Sequence, residues 1–315
     1  MNARRLIYSA LAILAVTLRA GGQPAPAVVV GDGAAGVTAV SSRVSKDYVR
    51  TKLADGSYQP EEYAFGEGGR LNGALRDPSI DNLKFMDIAR VVARSLAAQN
   101  YRPTRDLNTE KLLVMVYWGT TIVPEPFDST PGNLNYQQAQ HTASSLELAA
   151  RGGNTPAAKN AQQAIASALG SAGHQLSMEN IQREQTDFKN ANLLGYDSEG
   201  LIGTDEGVLS GHTGVSGNLH EELLSEIEDT RYFVVLLVYD FQVFRKEHKH
   251  KLLWETRLSI NEARNDFSKA LPAMVQYASR YFGQDSHGLL RTEVPEGKVK
   301  MGEPKSLGEV GVPEK

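Results

Sequence analysis

The chain of 315 residues contains no cysteine. That excludes a disulfide framework, a thiolate metal centre and the acylated cysteine of an envelope lipoprotein. A surplus of positive charge is missing too, with 33 Lys and Arg against 37 Asp and Glu for a net charge of −4. A nucleic-acid-binding balance is thereby set aside. No apolar run reaches the roughly 20 residues that a spanning helix needs; the longest, Leu6 to Leu18, is too short. What is present is an ordinary globular composition. Hydrophobic residues make up 41%, and counting the 29 Gly in place of the 12 Tyr brings the fraction to about 46%, within the globular range of about 45 to 50%. The length suffices for one large domain or two ordinary ones.

The N-terminus carries the most specific local pattern. Arg4 and Arg5 precede the apolar stretch LIYSALAILAVTL, and Ala20-Gly21-Gly22 then offers a small-x-small site. This is the order of a secretory signal peptide, cleaved after about residue 20 or 22; retention as an interfacial anchor is the alternative. The Arg pair lacks the Ser and Phe context of a twin-arginine signal. Removing residues 1–22 takes out Arg4, Arg5 and Arg19 and no acid, leaving 30 basic against 37 acidic groups, or −7. The expectation is an exported, mildly acidic, most simply periplasmic protein with no transmembrane segment after cleavage.

Residues 23–36 read as a linker. Within them Gly31-Asp32-Gly33-Ala34-Ala35-Gly36 follows Val28-Val29-Val30 and formally matches a dinucleotide-binding GxGxxG, with Asp55 at the place of the ribose-binding acid. The context argues against that reading, because Gln23-Pro24-Ala25-Pro26-Ala27 precedes it and no regular strand and helix alternation follows. No cofactor is expected.

A single domain is expected over residues 37–285. Val40 to Val49 reads as a strand, Glu61 to Phe65 as a second, and Gly66-Glu67-Gly68-Gly69-Arg70 as a loop. Leu83, Met86, Ile88, Val92 and Leu96 recur at helical spacing behind Asp77-Pro78-Ser79, with Asn100 and Pro103 as the end. Leu112 to Tyr117 (LLVMVY) has the length and continuity of a strand buried on both faces. Residues 130–230 read as an insertion. Ala157, Ala161, Ile165, Ala168 and Ala172 form a helical stripe behind Thr155-Pro156, which implies a helical hairpin. A Gly-rich loop from Gly195 to Gly217 follows, then a short helix with Leu219, Leu223 and Ile227 on one face.

Tyr232 to Phe244 and Leu252 to Ile260 flank the charged turn RKEHKHK and predict a long hairpin. A helix with Phe267, Leu271 and Met274 on one face contains Pro272, which either begins or kinks it. Residues 286–315 read as a flexible tail. The fold class is therefore α+β: an antiparallel or mixed sheet with helices packed on one face, plus an inserted helical hairpin.

The run Tyr63 to Arg70, the helix ending LAAQNYRP before LLVMVYWGTT, and LLWETRLSI followed by a helix ending YFG resemble the exported bacterial domain-of-unknown-function family found in small envelope lipoproteins. The resemblance covers roughly residues 40–125 and 230–283. It implies a fold and a compartment and assigns no catalytic residue. The chain departs from it by the missing lipobox cysteine and by the long insertion.

A search for chemistry finds broken motifs. His220-Glu221 opens like a zincin helix, but Leu224 stands where the second ligand belongs. His248 and His250 lie on a charged hairpin tip, Ser210 lacks the glycine context of a nucleophile elbow, and the adjacent acids Asp205-Glu206 and Glu61-Glu62 diverge in extended chain. No catalytic, cofactor-binding or metal-binding residue is assigned. Trp254 falls on the apolar face of its strand. Trp118 ends a buried run where the chain turns out, and is either a binding platform at a loop rim or a cover for the sheet edge. Trp118, Glu67 and Arg70 are the candidate ligand-binding residues. The functional expectation is a non-catalytic envelope-associated binding or scaffold protein whose partner is an envelope protein or polymer. The alternative is a hydrolase acting on an envelope polymer, with Glu67 and Asp240 as its acids.

Overall fold

Apolar residues at both parities along RYFVVLLVYD require cover on both faces, and this stretch lies in the middle of the sheet. The computed structural model describes residues 36–71, 73, 76–106, 108–196, 217–263 and 265–294. The chain runs β1 (Gly36–Val44), β2 (Glu61–Leu71), α1 (Pro78–Asp81), α2 (Phe85–Ala98), β3 (Tyr101–Pro103) and β4 (Leu112–Thr120). It continues through the pair α3 (Pro131–Ala150) and α4 (Pro156–Leu194), then α5 (Gly217–Glu228), β5 (Arg231–Asp240), α6 (Phe241–Glu247), β6 (Leu252–Asn261), α7 (Phe267–Ala278) and β7 (Leu289–Val294). The strands form one mixed sheet in the order β3-β2-β4-β5-β6-β1-β7. β2 pairs in parallel with β3 and β4, and the remaining pairs are antiparallel. This is an α+β architecture.

The larger core lies under α2 and α7. Tyr63, Phe65, Val114, Val116, Val234 and Trp254 reach it from the sheet, and Ile88, Val92, Leu96, Phe267 and Met274 from the helices. A second, smaller core lies on the other face, where Phe233 and Val235 of β5 meet Ala191 and Leu194 of α4, Tyr196, and Ile227 of α5. Helices therefore cover both faces, and the expectation of one-sided packing is corrected. The cause is β5 itself, whose Phe233 and Val235 would otherwise face water.

Four further expectations change. β2 runs on through the glycine stretch to Leu71, with a bulge between Glu67 and Gly69. Its glycines make room for neighbouring side chains: the Met115 thioether lies against Gly66, and a Cβ on Gly68 would come within 2.5 Å of Tyr117 Cζ. β5 stops at Asp240, where the carboxylate accepts the Val243 N–H at 3.0 Å and starts the short helix α6, so Phe241 to Phe244 leave the strand. Asp77 caps the one-turn α1, with Asp77 Oδ1 2.8 Å from Ser79 N, and α2 begins separately at Phe85. Residues 289–294, expected in the tail, form the edge strand β7 on β1. Ser286 ties the approach to it through Ser42 N to Ser286 Oγ at 2.9 Å and Ser286 N to Ser42 O at 2.9 Å.

Pro272 sits inside α7, whose start is capped by Asp266. The signal peptide and nearly all of the linker, the Gly-rich run except Gly36, Asp205-Glu206, Ser210 and residues 295–315 lie outside the described residues.

Candidate binding surface

β4 and β5 are antiparallel neighbours, so the whole of residues 121–230 leaves and re-enters the sheet at one place. Thr121 closes that root: its N–H donates to Arg231 O at 3.0 Å, and its Oγ1 accepts from Arg231 N at 2.9 Å. Beyond it Thr130 caps α3, accepting the Asn133 N–H at 3.3 Å, and Thr155 caps α4, accepting the Ala158 N–H at 3.2 Å. The two helices pack antiparallel through small residues, with Ala139, Ala158, Ala161 and Ala172 buried. Polar pairs fix their register: Gly132 N–H donates to both Glu179 carboxylate oxygens at 2.8 Å, and Asn135 Nδ2 to Gln175 Oε1 at 2.9 Å. The expected alanine stripe is thus the seam of this hairpin, shifted from Ala157 to Ala158.

At 1.5 Å per residue the 39-residue α4 is about 58 Å long, yet only its last turns enter the second core. The remainder projects with α3 as an arm. Asn190 anchors it, donating through Nδ2 to Ile122 O at 2.7 Å and Ile227 O at 3.1 Å. Arg183 adds a second anchor, donating to Glu228 Oε1 at 2.7 Å and to the Glu125 carbonyl.

The base of the arm exposes apolar side chains. Ile122, Val123, Phe127, Leu134, Met178, Ile181 and Phe188 are each 42 to 55% exposed. Met178, Ile181 and Phe188 recur at helical spacing on one side of α4, within about 80° of one another. On another side of α4, against the chain leaving β4, runs a groove of about 280 Å³ lined by Pro124, Phe127, Pro131, Arg183 and Thr186 among others; of the seven exposed apolar side chains Phe127 alone lines it. Asp187, one turn beyond Arg183 on α4, is 7% exposed, with Oδ1 unpartnered among the described residues. Burial pushes its carboxyl up to about 6; Glu228 and Glu184 add to the rise and Arg183 opposes it.

The three candidates read from sequence lie on neighbouring strands, but Trp118 is not at a solvent rim. Arg70 is the register partner of Trp118, and Glu67 that of Val116. Trp118 is 3% exposed and stacks on Phe85, with ring centroids 6.2 Å apart and planes at 26°. The platform expectation is corrected, because Phe85 at the start of α2 closes over the indole. Arg70 pairs with Asp81, and Glu67 is exposed. Of the two hairpin histidines, His250 packs against Tyr239 and Phe244, with centroids 5.6 and 5.3 Å away. The surface at the arm base went unread in the sequence. Its signal was the recurrence of Met178, Ile181 and Phe188 in the mostly polar stretch of α4 from Ser177 to Asn190.

Among the described residues no helix is long and apolar enough to cross a membrane. No family model matches the chain, and no curated protein matches it in sequence.

Proposed function

We propose that this chain is an exported, non-catalytic envelope protein that binds or scaffolds a partner protein through the base of its helical arm. The observation that carries the reading is the set of exposed apolar side chains at the arm base, with Phe127 in the groove and Met178, Ile181 and Phe188 along another side of α4. Such a patch on a folded chain marks an interaction site. Glu125, Asp128 and Glu184 are exposed near it, and so is Lys189 beside Phe188, so the partner that fits presents an apolar ridge bordered by charges of both signs. Residues 1 to about 20 or 22 serve as the export signal. Mass spectrometry of protein recovered from the periplasm then gives a mature N-terminus near Gly21 or Gln23.

The absence of cysteine makes a direct test simple. Met178→Cys, Ile181→Cys and Phe188→Cys, each labelled with a photocrosslinker in intact cells, should give one discrete protein adduct. Arg94→Cys on α2 should give none. Adducts absent from all three arm positions, or formed only with glycan polymer, would remove the reading. For the hydrolase alternative, the two acids read from the sequence do not form a competent pair. Glu67 and Asp240 pair with Val116 and Leu112 on opposite sides of β4, about 16 Å apart by strand spacing, beyond the 5 to 9.5 Å that two-carboxylate catalysis needs. Asp240 is in addition occupied in capping α6.

A further inference from the structure

The second candidate site lies at the other end of β4, about 26 Å from the arm root by strand rise. There Glu62 of β2, Arg102 of β3, Glu110 and Lys111 before β4, and Gln242 of α6 line a cavity of about 530 Å³. The backbone around it is pinned. Lys111 N–H donates to Glu62 O at 3.1 Å, Phe241 N–H to Lys111 O at 2.9 Å, Gln242 Nε2 to Glu110 O at 2.8 Å, and Glu110 N–H to Asp106 O at 3.0 Å. The side chains are not satisfied in the same way. Glu110 is 1% exposed, and neither of its carboxylate oxygens has a hydrogen-bond partner among the described residues. Glu62 Oε2 is buried in the same condition.

A buried carboxylate without donors is costly, and native proteins retain few of them. Glu61, next along the chain, shows the contrast: it pairs with Arg50 at 3.6 Å and accepts from Tyr48 Oη at 2.5 Å. Burial alone pushes the Glu110 carboxyl up to about 7, against an opposing attraction from Arg245.

We propose that this cavity is a binding site for a small zwitterion of the amino-acid class. Its ammonium is held by Glu110 and Glu62, and its carboxylate faces Arg102 and Lys111 at the mouth. An ammonium brings three donors to carboxylate oxygens that have no hydrogen-bond donor among the described residues. A metal ion fits less well, since the described residues contain no group of three or more ligating side chains. Arg102 and Lys111 are exposed, and neither makes a side-chain ion pair among the described residues.

Calorimetric titration of the full mature chain with L-lysine, glycine, 4-aminobutyrate, methylamine, acetate and calcium chloride tests the assignment. Saturable binding of methylamine and of at least one amino acid is expected, with none of acetate. Glu110→Gln and Glu62→Gln should each weaken binding at least tenfold. Arg102→Ala should weaken binding of the amino acid and leave methylamine unchanged. Near-ultraviolet circular dichroism confirms that each variant is folded. Failure of every amine to bind, binding unaffected by Glu110→Gln, or saturable calcium binding in place of amine binding would overturn the proposal. Arm-base crosslinking is read out independently, so either assignment can fail alone.

Discussion

The Arg50 guanidinium carbon lies 4.0 Å from the centroid of the Tyr101 ring, with Tyr58 on the other side at 4.2 Å. The arginine side chain is 1% exposed, donates to Gln99 O at 2.6 Å and faces Glu61. Burial foremost, with Tyr101 and Glu61 nearby, raises the Tyr48 hydroxyl above its ordinary range, so it stays a donor to Glu61. This group clamps the chain between β1 and β2 onto the sheet edge at β3.

Removing the cation leaves two ring faces without their partner and Glu61 with the Tyr48 hydroxyl but no cation. Arg50→Ala is expected to lower stability by about 3 to 5 kcal/mol, the range for breaking a buried pair. Arg50→Lys should recover less than half of that, because an ammonium does not lie flat between two rings. Urea denaturation of the two variants measures both values.

The two tryptophans should behave alike. Trp118 is 3% and Trp254 0% exposed, stacked on Phe85 and Phe282, and neither indole N–H has an acceptor among the described residues. Trp118→Phe and Trp254→Phe, each leaving one indole, should both emit blue-shifted fluorescence and resist acrylamide quenching. Truncation of either to Ala should cost about 3 to 5 kcal/mol.

Glu110 makes stability depend on pH in a defined direction. Its folded-state carboxyl lies near 7, above the ordinary value, so the folded chain holds this proton more tightly than the unfolded chain. The contribution is present below the unfolded value of about 4.5 and is lost as pH rises through about 7. Glu110→Gln should therefore match the wild type near pH 4 and exceed it at pH 8, by about 1 to 3 kcal/mol. Denaturant midpoints at the two pH values check this; a variant less stable at pH 8 would contradict it.

The arm and its anchor should separate energetically. Replacing residues 137–173 with a short Gly/Ser linker cuts the hairpin above the Asn135 and Gln175 pair and should leave one cooperative transition, shifted by about 1 kcal/mol or less. Asn190→Ala removes the donors to the Ile122 and Ile227 carbonyls and should cost about 1 to 3 kcal/mol. Thermal unfolding of the two variants gives the comparison.

Much of the secondary structure was legible because its signals are local. The continuous run LLVMVY, the alternation through Trp254, Thr256, Leu258 and Ile260, and the helical recurrence of Ile88, Val92 and Leu96 each announce an element from residues adjacent in the chain. The caps at Thr130 and Thr155 are local in the same sense. Strand β2 was misread at its glycines because their reason lies across the sheet, in Met115 and Tyr117. β7 was hidden because its pairing depends on β1, far back in the chain.

The sequence by itself thus determined the principal strands and helices, though not β7, α6 or the glycine half of β2, that the class is α+β, and that an alanine-seamed hairpin interrupts the chain between β4 and β5. Only the tertiary structure decided that helices close both faces of the sheet, that Phe85 covers Trp118, and that Glu110 and Asp187 are buried with oxygens left unpartnered among the described residues. Periodicity is written in neighbouring residues, whereas burial and hydrogen-bond partners arise from contacts between residues far apart in the chain. Trp118 shows the difference: its strand was readable from the residues beside it, but its cover comes from the start of a helix some thirty residues earlier.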